Sequence, residues 1–132
     1  MTHALNALQA AVVSAVQAHP VLAARLTGIY DGPPPRAAFP YVSMGDSLVS
    51  DWSTKTAKGR EIRLALTLWD SGECPSQLTD LMAHLEEAMA ALPRNLPGWR
   101  IASLMFQRSM VVRDSAGPWA GLLEHRIRLL AE

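Results

Sequence analysis

The chain has 132 residues, balances twelve Lys plus Arg against twelve Asp plus Glu, and is 49 % hydrophobic but only 18 % charged. That length suits one domain, residues 1–132, with a core large enough to fold without a structural metal, and the lone Cys74 excludes an internal disulfide and suits a reducing cytosol. Zero net charge disfavours nucleic-acid binding driven by phosphate attraction and removes the self-repulsion that opposes association, so an oligomer is favoured.

Residues 1–20 lack a basic start followed by an apolar run, so no export signal is expected. No eighteen apolar residues run together, so no membrane-spanning helix and no membrane partner are expected. Leu5, Leu8, Val12 and Val16 recur at helical spacing and predict an amphipathic helix over 3–18, with Thr2 as its N-cap. Pro20 stops that helix at His19 and opens a short second one through Arg25, which Gly28 should terminate. Ile29 and Tyr30 read as a short strand, and Asp31 to Pro35 as an extended surface turn. A strand follows from Phe39 to Met44, continuing past Gly45 through Val49, and residues 50–60 read as a long polar hairpin loop. Ile62, Leu64, Leu66 and Leu68 alternate with Glu61, Arg63, Ala65 and Thr67, the period-two mark of a half-buried strand. After a turn at Asp70-Ser71-Gly72, the stripe Leu78, Leu81, Met82, Leu85, Met89 and Leu92 predicts a second main helix over 75–91, ended by Pro93. Two long strands, 99–113 and 119–130, flank turn residues 114–118 and finish the chain. The fold class is therefore α+β: a largely antiparallel sheet with two main helices packed on one face.

No constellation for catalysis or cofactor binding emerges from these elements, so no catalytic residue, cofactor or metal is assigned. Lys58-Gly59-Arg60 sits between strands and does not open a helix, so a solvated basic turn is preferred to a phosphate loop. His84 and Glu87 lie one helical turn apart, a spacing for two metal ligands, but a third is missing: His3, His19 and His125 come from unrelated segments and Cys74 has no second thiol. His125 could serve as a nucleophile's base, yet no G-x-S-x-G elbow exists, and a satisfied sheet histidine is preferred. Trp52, Trp99 and Trp119 fall at loops or strand starts, where aromatics either anchor protein contacts or cap the core at a sheet end.

Several stretches together carry a resemblance. The Ala/Leu-rich opening helix, Ile29-Tyr30-Asp31 with its proline loop, Phe39-Pro40-Tyr41-Val42, Asp51-Trp52-Ser53-Thr54-Lys55-Thr56, Gly59-Arg60-Glu61 and Leu66-Thr67-Leu68-Trp69 resemble a family of tail-completion proteins. That family is encoded in the structural gene clusters of long-tailed phages and gene transfer agents. The match runs from about Leu5 to Leu130, and departs from the family in the 93–99 link and at Pro118-Trp119. The resemblance implies a non-enzymatic tail terminator assembled in the bacterial cytoplasm as part of the particle. Copies of the chain would close into a ring, expected to be a hexamer, that caps the tail-tube protein and stops its polymerisation. The ring would face a head-side connector or stopper protein, with DNA only passing through the lumen. The candidate interface is Asp51, Trp52, Ser53, Thr54, Lys55, Lys58, Arg60 and Trp119. Alternatives left open are another neck component (a stopper or head-tail adaptor), a small hydrolase or ligand-binding domain with Asp70, His84 or His125 in a shared pocket, and a DNA-binding accessory domain.

Overall fold

The computed structural model describes residues 2–32, 38–113, 115 and 117–132. The proline tract expected to form an extended turn, and Asp114 and Ala116 of the expected last turn, lie outside the described residues. The first helix, α1 (Ala4–Ala18), buries Leu8, Val12 and Val16 at intervals of four. Its N-cap is His3, whose Nδ1 accepts from the Leu5 N–H at 3.1 Å, and not Thr2 as expected. Thr2 is committed elsewhere: its carbonyl accepts from the Trp99 indole N–H at 2.8 Å. His19 takes the extended conformation that a following proline demands and separates α1 from α2 (Pro20–Arg25). That helix ends at Leu26, two residues before Gly28, because the Leu26 backbone is already extended.

The strands are β1 (Ile29–Asp31), β2 (Tyr41–Met44), β3 (Leu48–Asp51) and β4 (Gly59–Asp70), followed by helix α3 (Ser76–Ala90), then β5 (Asn95–Leu96), β6 (Trp99–Arg113) and β7 (Trp119–Ala131). They form one seven-stranded sheet in the order β1-β2-β4-β7-β6-β5, with β3 also paired to β4. All pairings are antiparallel except β1 with β2, which run parallel, a link the local sequence did not announce. The single strand expected across Phe39 to Val49 is two strands: Met44 pairs with Leu66 and Leu48 with Arg63, so residues 45–47 step out of the ladder. The expected 50–60 loop is shorter, because Ser50, Asp51, Gly59 and Arg60 are strand residues.

Helix α3 lays Leu78, Leu81, Met82, Leu85 and Met89 against β4 and β7, and α1 packs against α3 and β5. The face they cover carries Ile62, Leu64, Leu66, Leu68, Leu123 and Ile127, all almost fully buried. Thus two main helices sit on one face of a largely antiparallel sheet, as the periodicities predict. The opposite face bears the other half of each alternation: Glu61 opposite Arg128, Arg63 opposite Arg126, Ala65 opposite Glu124, Trp69 opposite Ala120. At one end it continues into aromatic rings, with Tyr41 stacked between Phe39 and Trp69 at centroid distances of 5.6 and 6.4 Å.

Candidate functional site

The hairpin between β3 and β4 is closed by its own side chains. The Ser53 hydroxyl donates to the Asp51 carboxylate at 2.6 Å and accepts from the Gly59 N–H at 3.0 Å, while the Arg60 guanidinium donates to the same carboxylate at 3.0 Å. These bonds, the Ser53 hydroxyl first, hold the Asp51 carboxyl below its ordinary pKa. Thr54 closes the tip: its N–H donates to the Ala57 carbonyl at 2.8 Å and its hydroxyl accepts from the Ala57 N–H at 3.1 Å. The Trp52 ring lies under the Arg128 guanidinium, 5.2 Å from it, and a side chain at Gly59 would run into the Trp52 carbonyl. Five of the eight candidate interface residues, Asp51, Trp52, Ser53, Thr54 and Arg60, are therefore engaged in shaping the hairpin. Lys55 and Lys58 are exposed near its tip.

Trp119 is not brought to that loop. It opposes Asp70 and Arg113 at the start of β7, whereas Gly59 opposes Leu130 near the end of the same strand. Eleven strand steps separate the two places by about 36 Å. Trp119 is half-buried, with the Arg113 guanidinium 5.7 Å from its ring centre.

A surface that sequence reasoning missed begins beside Trp119. Strand β5 pairs only with Trp99 and Arg100, so among the described residues the outer edge of β6 from about Ser103 to Arg113 has no strand partner. Among the described residues seven large apolar side chains are exposed, and five of them, Met105, Phe106, Met110, Val111 and Val112, sit on this stretch. Its signal was available in the loss of alternation: Met110, Val111 and Val112 put apolar groups on both faces of a strand that a core could bury on only one. Irregularities in pairing at Ile101/Ser103 and Phe106/Arg108 twist the strand. Beside the second, Arg108 grips Glu124 with two bonds of 2.8 and 3.0 Å, which hold the Glu124 carboxyl below its ordinary pKa.

The titratable groups that a hydrolase would gather stay apart. His125 lies opposite Leu64 and Asp70 opposite Trp119, six residues further along β4, about 20 Å away. His125 is only partly the satisfied sheet histidine expected: it is 2 % exposed, its ring meets the edge of Phe106, but its Nδ1 has no hydrogen-bond partner. Desolvation pushes its pKa down to about 4. The basic Lys58-Gly59-Arg60 stretch enters a strand and presents no helix N-terminus. A groove of about 980 Å³ between α1 and α3 is walled mainly by small side chains such as Ala7, Ala11, Ala15 and Ala88, with His19 and Glu87 at its rim. There the fold supplies what the sequence lacked, since His19 reaches the His84–Glu87 pair.

Comparison with known proteins gives a consistent result. The sequence profile of the family described as "Tail completion protein gp17" matches residues 10–130. The tail completion protein gp17 of Bacillus phage SPP1 is 24 % identical over 114 residues, which cover 86 % of this chain and 84 % of that protein. A chain in the virion of a native gene transfer agent (GTA) particle superposes with a TM-score of 0.85 at 31 % identity, over 98 % of this chain and all (100 %) of the other. The structure of bacteriophage SPP1 gp17 superposes with a TM-score of 0.64 at 21 % identity, over 92 % of this chain and 88 % of the other, a likeness of fold.

Proposed function

Since the chain belongs to the tail completion protein gp17 family, we propose that it is a tail terminator. In this reading copies of the chain close into a ring, a hexamer by kinship, that caps the last layer of tail-tube protein, ends its polymerisation and offers its other side to a connector or stopper. DNA passes through the lumen, and no bond is made or broken. A closed ring needs two different patches on each subunit, complementary to one another. The observation that carries the proposal is the open edge of β6. Among the described residues nothing pairs with the backbone N–H and C=O groups along it, and Met105, Phe106, Met110, Val111 and Val112 flank them.

Monomeric proteins blunt such edges with charges, prolines or bulges, because a long apolar edge recruits another chain. Here the bulges and Arg108 are present, but Arg108 is spent on Glu124, and past Ser109 the strand is apolar from Met110 to Val112. Trp119, next to Arg113, extends the same patch and remains a contact residue in this proposal, whereas Lys55 and Lys58 face the tube or a neighbour. The test is Met110→Lys with Val111→Lys. Both side chains are already exposed, so the melting temperature should stay within a few degrees, while head–tail joining in particles carrying the variant should be lost. Joined particles of normal tail length would remove β6 from the interface.

A further inference from the structure

Three ligand-bearing side chains meet where α1, α2 and α3 come together. His84 and Glu87 project from one turn of α3, with His84 Nδ1 2.8 Å from a Glu87 carboxylate oxygen. His19, at the joint between α1 and α2, brings Nε2 to 3.5 Å from the same oxygen, and the two imidazoles stand edge to face with centroids 5.2 Å apart. All three candidate ligand atoms lie within 4.8 Å of one another. A tetrahedral ion bonded at about 2.0–2.1 Å separates its ligands by about 3.3 Å, so the His84–Glu87 pair at 2.8 Å must open slightly and the widest pair, within 4.8 Å, must close by side-chain rotation to enclose one. Two imidazoles and one carboxylate, with neither a thiolate nor an all-oxygen cage, select a borderline ion such as Zn²⁺ over Mg²⁺ or Ca²⁺.

We propose that His19, His84 and Glu87 bind one zinc-type divalent cation, with water completing its coordination, and that the ion pins the α1–α2 joint to α3. The histidine side chains are partly shielded, 17 % and 28 % exposed, and Glu87 is open to solvent at 65 %, so an ion can enter without unfolding. Binding displaces two existing hydrogen bonds, and the first is the one between His84 Nδ1 and Glu87, whose shared proton must leave. In the second, His19 Nδ1 now accepts from the Leu22 N–H at 3.4 Å, which places the ring proton on Nε2; to ligate through Nε2 the proton must move to Nδ1 and that cap is lost. At this length the cap contributes little, and three metal bonds outweigh it.

The displaced cap gives the inference its own signature. Tag-free protein titrated with Zn²⁺ should bind one equivalent, melt at a higher temperature, and show the Leu22 amide resonance among those that shift. Co²⁺ in place of Zn²⁺ should give the visible absorption of a four-coordinate nitrogen–oxygen site. His84→Ala, and His19→Asn, which keeps a capping side chain for Leu22, should each weaken binding at least about tenfold, since loss of even an outer-shell partner costs that much. Absence of saturable one-equivalent binding, or undiminished binding in either variant, overturns the proposal.

Discussion

His125 sits in the sheet between Leu64 and Phe106, and desolvation lowers its pKa from 6.5 to about 4. Between those values the unfolded chain takes up a proton that the folded chain refuses, so folding stability falls as the solution is acidified. The contribution is complete above pH 6.5, declines below it, and stops declining once the pH passes below about 4 and both states are protonated. Its full size is about 3 kcal/mol. Urea unfolding between pH 7 and 5 should show a falling midpoint in the native protein and a much flatter one in His125→Leu; equal slopes would mean that His125 is not the group responsible. The sequence placed His125 on a strand but could not tell whether it was buried, since that depends on α3 lying over the same face. Equally invisible in the sequence was the anchor on Thr2, whose carbonyl accepts from the Trp99 indole 97 residues away.

Among the elements, the β3–β4 hairpin separates shape from contact. Trp52 stacks under Arg128 and frames the loop, so Trp52→Ala should lower stability by about 1–2 kcal/mol in chemical denaturation. Lys55 is exposed at the tip, and Lys55→Glu should leave stability unchanged while impairing tail completion. If the double variant Trp52→Ala, Lys55→Ala supports tails of normal length, the hairpin is not part of the contact. Elements with a strong period were legible: α1, α3 and β4 appear within one or two residues of their expected bounds. The small β5–β6 hairpin was not, although Pro97-Gly98 is turn chemistry and Gly98 takes the positive φ of +79° that such a turn requires. Nor was the status of β6, because a strand's sequence records its faces but not whether another strand will lie along its edge.

For the molecule as a whole, the fold class was legible from alternation, helical stripes and hairpin-length links, while strand order was not. Nothing local specifies that β1 runs parallel beside β2 or that β7 occupies the centre between β4 and β6. Those choices decide which strand is left open, and hence where the candidate contact lies. Deleting the gene and examining lysates by electron microscopy should give unjoined heads and tails of uncontrolled length. Tails of normal length attached to heads would rule out the terminator role.

Beyond its two pairs with β5, strand β6 keeps a free margin among the described residues. When a neighbour covers that margin with a different part of its own surface, as closure into a ring requires, the contact is heterologous. A circle closed in that manner cannot be turned over onto itself. Its top and bottom rims would expose unlike residues, so one repeated chain could meet two chemically dissimilar partners without a second gene product to orient it.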